Sequence, residues 1–479
     1  MYRKRHKEQL TMDDFILPFG GKLLADNRWV KLSRLMPWDY IEEIYAKSMS
    51  SAAGASTISA CIAFGAIYIK ESEKLTDERT VENIAENPYM QYFLGLHAFE
   101  EAPLFDSSMM VHFRKRFPSK MIEAINQRIF ADKQDGDSSD GSSDEPRLPD
   151  GGETAGDDAP ANSGKLVLDA TCAPADIRYP SDLSLLNEAR ENTEAIIDKL
   201  WEQGDRTGHK TRYRRKKARS EYLSITKQKK PKHNKTHKAI HHQLIYIQRN
   251  LEDIGKYLTT PGIEELSERQ LTRLATICVL YRQQKGMYEN RGHQCEDRIV
   301  SLRQPHIRPM IRGKAGKPYE FGQKLALSVV NGYTFIERQS FDNFNEGVSL
   351  IESTERYRSV HGHYPEVVQA DKIYRNRKNL SYCKEHGIRL SGPRLGRPGK
   401  DAERNRELEY KDCCERNIIE GRNGMAKRRY GLDLIMAILP ETAMTEAALQ
   451  VLCMNARIRL LWRIRFWICL SRHRFALLQ

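Results

Sequence analysis

The chain has 479 residues, too many for one ordinary hydrophobic core, so two or three folded units are expected. Lysine and arginine number 77 against 64 aspartate and glutamate, and the net charge of +13 favours a polyanionic partner, either nucleic acid or an anionic membrane surface. No run of about 18 uncharged apolar residues occurs, which argues against a transmembrane helix, and nine cysteines without a CxxC pair point to reduced thiols in a cytosolic protein.

The basic start MYRKRHKEQLTMDD lacks the apolar segment of a secretory signal. Residues 1–130 read as an all-α unit. Trp29, Val30, Leu32 and Leu35 lead into Pro37-Trp38, which opens a helix through Ile41, Ile44 and Tyr45. Residues 52–70 form a small, apolar core helix, and Asn87-Pro88 breaks the next one. The last predicted helix of the unit ends in Arg114, Lys115 and Arg116. Short tandem helices with a basic end suit either a helix-turn-helix DNA reader or a plain helical bundle with a solvated end. Residues 131–164 carry ten acidic and almost no apolar side chains, so a disordered acidic linker is expected.

Leu166-Val167-Leu168 is a buried strand that ends in Asp169. From about 183 to 300 the pattern is helical. Ile240, Leu244, Ile247, Leu251, Ile254 and Leu258 alternate steps of four and three, the seam of a long helix. Before it, residues 206–238 hold 14 lysines and arginines and one acid, Glu221. Such imbalance favours phosphate contact over a merely solvated face and nominates Arg212, Arg214, Arg215, Lys216, Lys217, Lys229, Lys230 and Lys232. His233, His237 and His241 share helical spacing, but Pro231 and the neighbouring lysines favour phosphate contact over zinc. Two strands follow, Tyr319 to Val330 and Tyr333 to Phe341, joined by Asn331-Gly332, a strong hairpin signal. After a helix comes PEVVQADKIY, a strand ending in Asp371. The pair His361 and His363 just before it reads better as loop histidines than as metal ligands. A helix at 375–386, a strand at Ile388–Leu390, a basic loop and a helix over about 401–430 complete an α/β pattern. The stretch from 441 to 479 reads as a basic C-terminal tail, packing as a helix or strand with arginines facing DNA.

In the helix at 401–430, Arg416, Glu420 and Lys427 share one face, because four and seven residues are about one and two turns. Sites on parallel-type sheets gather at the carboxyl ends of strands. Asp169 and Asp371 fall there by this reading, and the helix can carry Glu420 to the same edge. Three carboxylates suit two Mg²⁺ or Mn²⁺ ions about 4 Å apart, with Arg416 and Lys427 neutralising phosphate. Taken singly, Asp169 and Asp371 read better as strand-end turn residues and Glu420 as half of a surface pair with Arg416; it is the set, at matching points of one topology, that favours a site.

The motifs LDAT around Asp169, QADKIYRNRKN around Asp371 and RNIIEGRNGMAKRRYGL around Glu420 resemble those of bacterial insertion-sequence transposases of the DDE type. The spacing Arg416, three residues, Glu420, six residues, Lys427 is similar to that family's signature, in which a tyrosine stands where this chain has Cys413. The N-terminal segments NRWVKL, LTDERTVENIAENPYMQYFLGL and FRKRF also resemble the family. The resemblance implies a ribonuclease H-like mixed-sheet core over 165–440; the basic helical stretch at about 183–300, which none of these motifs covers, reads as an insertion in it. It implies Asp169, Asp371 and Glu420 as metal-binding catalytic residues, with two ions of Mg²⁺ or Mn²⁺ as cofactor. It further implies double-stranded DNA as partner, both terminal inverted repeats and target, with nicking followed by strand transfer, in the bacterial cytoplasm at the nucleoid; since two ends must be cut and joined, that chemistry calls for a homodimer. The alternatives are a nuclease that does not join and a catalytically inactive DNA-binding derivative.

Overall fold

The computed structural model describes residues 12–17, 20–49, 57–130, 162–203, 214–259, 266–314, 317–392 and 402–476. Residues 131–161 of the expected acidic linker, and Arg212, lie outside them. The chain divides into two compact units. The first comprises Met1–Pro174, Lys324–Ser340 and Phe344–Gln479, the second Ala175–Gln323 and Phe341–Asn343.

The first unit begins with helices α1 (Arg28–Leu35), α2 (Trp38–Lys47), α3 (Ala60–Glu73), α4 (Asp77–Glu86), α5 (Pro88–Phe93), α6 (Met109–Arg116) and α7 (Ser119–Phe130). Local sequence starts them. The side chains of Asn27, Ser59, Thr76 and Asn87 each accept a backbone N–H at a helix N-terminus, and Pro88 takes the first position of α5, where its missing N–H costs nothing. Strand β1 (Lys165–Pro174) follows.

The second unit holds α8 (Asp182–Gln203), α9 (Arg215–Thr226), α10 (His233–Leu258), α11 (Glu268–Glu289) and β2 (Arg308–Lys314). The predicted seam of α10 is real. Leu244 and Ile247 pack with Leu185, Leu186 and Ala189 of α8 and with Ile277 and Leu280 of α11. Arg190 is buried on α8, where Gln243, Asn187 and Glu194 accept its hydrogen bonds. Strand β3 (Lys317–Val330) starts in this unit, paired antiparallel with β2, and ends in the first.

The remainder belongs to the first unit: β4 (Tyr333–Ser340), α12 (Ser349–His361), β5 (Val367–Gln369), α13 (Arg377–Glu385), β6 (Arg389–Leu390), α14 (Ala402–Tyr430) and α15 (Pro440–Ala476). Its strands run in the order β4-β3-β1-β5-β6. β3 and β4 are antiparallel, whereas β5 is parallel to both β1 and β6. The β3–β4 hairpin turns at Asn331 and Gly332, both at positive φ (51° and 83°), the conformation a two-residue hairpin demands.

Three expectations change here. The strand bearing Asp169 does not stop there but runs on to Pro174. The N-terminal helices do not stand apart as their own domain. α7 packs on α15 and β4, and a buried network ties them: Asn455 Nδ2 donates to Asn126 Oδ1 (3.0 Å) and to the Thr334 carbonyl (2.7 Å), while Asn455 Oδ1 accepts the Thr334 N–H. Residues 441–460, expected as tail, are the core half of α15, with Leu449, Leu452, Met454 and Ala456 buried. Their apolar side chains alternate with too few charges to remain in water.

Burial pushes the Glu123 carboxyl up to about 7, helped by Glu337 and opposed by Arg356. The unfolded chain loses this proton near its ordinary value while the folded chain keeps it, so stability falls as pH rises from about 4.5 to about 7, by about 1.4 kcal/mol per pH unit per such group. Glu123→Gln should remove that share of the slope. Urea titrations between pH 4.5 and 8 check this, and an unchanged slope in the variant would count against it.

Candidate active site

The final pair of the β1–β5 ladder is Val167 with Gln369. Asp169 and Asp371 each lie two residues beyond it. Thus the parallel pairing of two strands brings two aspartates 202 positions apart in sequence to one end of β5. Asp371 is exposed and accepts the N–H of Lys372 at 2.7 Å, starting a 3-10 turn that buries Tyr374. Asp169 is half-buried and accepts a hydrogen bond from Asn423 Nδ2 of α14 at 3.1 Å.

α14 lies across the three parallel strands, held by its acids. Gln369, 1% exposed on β5, donates its amide to Glu415 (2.7 Å) and Asp412 (3.2 Å). Arg389 of β6 binds Asp412 through two bonds, at 2.6 and 2.9 Å. Lys165 of β1 meets Glu415 at 2.6 Å. That ammonium, with the Gln369 amide, holds the Glu415 carboxyl below its usual range. Along the same helix face Ile419, Ala426 and Tyr430 are buried. Gly431, at φ 89°, ends the helix, and the Leu432 N–H reaches back to the Ala426 carbonyl. Glu420 lies on the flank of this face, 58% exposed, with Arg416 at 3.4 Å. Arg416, Glu420 and Lys427 lie on one continuous helix.

The electrostatics tie these groups together. Burial pushes the Asp169 carboxyl up to about 6, and the charges of Glu346 and Glu420 act the same way, while the Ala170 N–H and Arg416 oppose them. The Tyr374 hydroxyl is pushed up by burial and by Glu346, Asp169 and Asp371. Glu346, which sequence reading missed, is thus a fourth carboxylate at this end of the sheet. It pairs with Lys324 at 3.0 Å. Asn423 was also missed, although its place three residues after Glu420 on one helix face was there to be found. The site's donors are hard oxygens, the right chemistry for Mg²⁺ or Mn²⁺. The Oδ1 atom of Asn423 is buried without a hydrogen-bond partner. The spacing is looser than the chemistry: among the described residues, no three of His, Cys, Asp or Glu stand close enough together to hold an ion. Glu420 turns toward Arg416, and Asp371 toward its own turn.

The other nominated residues separate clearly. Arg114 forms a two-bond pair with Asp77 (2.7 and 2.8 Å), and Arg116 donates to Tyr45, so in the first unit Lys115 is the exposed cation of that trio. Their basic helix end is partly internal structure. In the second unit Arg215 is bound to Asp198 through two bonds, again a structural role. Arg214, Lys216, Lys217, Lys229, Lys230 and Lys232 are exposed. His237 and His241 stack on Tyr288 (4.2 and 5.3 Å between centroids), and His361 and His363 pack around Tyr357, where Gly362 caps α12. No described helix is long and apolar enough to cross a membrane.

Residues 368–457, which carry Asp371, Arg416, Glu420 and Lys427, match the family model described as Transposase DDE domain. Residues 19–116 match another, Transposase domain (DUF772). The chain resembles the insertion-sequence transposases of the DDE type. This transposase-like chain is also 29% identical over 162 residues to a Rhizobium meliloti protein named "Uncharacterized protein ORF8 in nfe locus", an alignment covering 33% of this chain and 68% of that protein. No solved structure matches it.

Gln369 is the joint of the clamp. Gln369→Leu strips two carboxylates of a shared donor and should lower unfolding free energy by roughly 2–3 kcal/mol. A urea titration measures it; a loss under 0.5 kcal/mol would show that Arg389 and Lys165 suffice to hold α14.

Proposed function

We propose that the chain is a DNA transposase, cutting the ends of an insertion sequence and joining the freed 3′ ends to target DNA on a ribonuclease H-like core. The observation that carries the reading is the convergence at one end of β5. Asp169 and Asp371 stand there by parallel pairing, and Glu420 is felt by Asp169 from a helix with the Arg416, Glu420, Lys427 spacing. The strand order β4-β3-β1-β5-β6, with β3 and β4 as an antiparallel hairpin, supports the ribonuclease H-like assignment.

Asp169, Asp371 and Glu420 would hold Mg²⁺ or Mn²⁺, which when bound activates water or a 3′ hydroxyl and stabilises the leaving oxygen of a phosphodiester. The chain's own residues do the rest. Arg416 holds the Glu420 carboxylate from one turn away and offers the remaining guanidinium edge to phosphate. Lys427, two turns on, lies on the same face. The half-burial of Asp169 keeps water away from one side of its carboxyl, which strengthens its attraction for cations. The exposed lysines and arginines of the second unit bind the DNA backbone. The substrate is double-stranded DNA, both terminal inverted repeats and target. The working form is a homodimer, because two ends must be cut and joined, acting in the cytoplasm at the nucleoid.

Purified protein incubated with a plasmid carrying the DNA that flanks the gene, with Mg²⁺ or Mn²⁺, tests the chemistry. Wild type should cut at discrete ends and form joined products, and Asp371→Asn should do neither while binding DNA as tightly. Cuts without joining would leave a nuclease, and tight binding without cuts an inactive DNA-binding derivative. Replacing Lys229, Lys230 and Lys232 by alanine should weaken DNA binding and flatten its dependence on salt by a slope of about one per lost contact. Unchanged affinity and slope would remove the turn between α9 and α10 from the DNA interface.

A further inference from the structure

Asp169 and Glu420 reach the site from different elements, a strand and a helix, and their separation depends on how firmly α14 is fixed to β1. The clamp by Gln369, Arg389 and Lys165 acts upstream, at Asp412 and Glu415. One further tie acts at the site itself. Asn423 lies three residues after Glu420, one turn along the same face, and its Nδ2 donates to Asp169 Oδ2 at 3.1 Å. A carboxylate only accepts hydrogen bonds, so the amide nitrogen must face it. The amide oxygen is thereby turned away and remains buried without a partner.

We propose that Asn423 is the positioning residue that fixes Asp169 against Glu420 for a divalent cation. This rests on the metal-dependent reading above. The bond occupies one Asp169 oxygen and orients the other. It also locks the turn of helix that bears Glu420 to the strand that bears Asp169. A hydrogen bond to the carboxylate that would hold the ion is the kind of outer contact that commonly tunes metal sites. A purely structural tie between helix and sheet would instead affect folding and leave ion affinity alone.

The test is calorimetric titration of the full-length protein with Mn²⁺, together with melting temperature and metal-free DNA affinity. Asn423→Ala should weaken Mn²⁺ binding roughly tenfold or more, the usual loss when an outer-shell partner is removed. Its melting temperature and DNA affinity should stay near wild type, and Asn423→Gln, which keeps the amide, should recover part of the loss. Wild-type Mn²⁺ affinity in a folded Asn423→Ala protein would overturn the inference and leave the metal reading intact. Wild type that binds no Mn²⁺, or binds it as Asp169→Asn does, would overturn the metal reading and this inference with it. Should Asn423→Ala fail to fold, Asn423→Gln and Asn423→Ser carry the comparison. Stable, folded forms of both with wild-type affinity would equally overturn the assignment.

Discussion

The placement of α14 depends on one buried amide. Gln369 is enclosed on the central parallel strand β5, and its two N–H groups satisfy carboxylates from successive turns of the helix. Two acids so near one another would repel. The shared donor, with Arg389 on one flank and Lys165 on the other, converts that repulsion into an attachment spanning β1, β5 and β6. A helix held only by its apolar face would be free to slide or rotate by fractions of a turn. Polar bonds of fixed direction remove that freedom. Glu420 and Asn423 inherit their positions from this attachment.

Beyond this attachment, carboxylates gather around Asp169. Burial above all, then the charges of Glu346 and Glu420, hold the Asp169 carboxyl up at about 6, with the Ala170 N–H and Arg416 opposing them only in part. Acids gathered without full compensation raise the free energy of the folded chain. A strongly perturbed carboxyl of this kind, near other acids, is more common at functional sites than elsewhere.

Elsewhere in the first unit, α15 does the work of a core. Its opening half is buried, and Asn455 bonds to α7 and β4 at once. A buried asparagine is tolerated because its donors and its acceptor find partners, and the geometry of those partners then specifies one register. The helices of the N-terminal segment are thereby part of the body that carries the sheet. The second unit has its own core along α8, α10 and α11 and presents exposed cations at the start of α9 and in the turn before α10.

Much was legible in the sequence. Apolar periodicity gave α10, the pair Asn331-Gly332 gave the hairpin, and short apolar runs before Asp169 and Asp371 gave β1 and β5, because each signal is local and acts through backbone conformation or side-chain period. The face shared by Arg416, Glu420 and Lys427 was legible for the same reason. Tertiary structure alone decided which carboxylates feel one another, that Asp169 sits within a longer strand, that Arg114 and Arg215 are occupied by Asp77 and Asp198, and that residues 441–460 are core. It also revealed Glu346, Gln369 and Asn423. These depend on partners tens to hundreds of positions away, and a polar side chain carries no local mark of the partner that folding will bring to it.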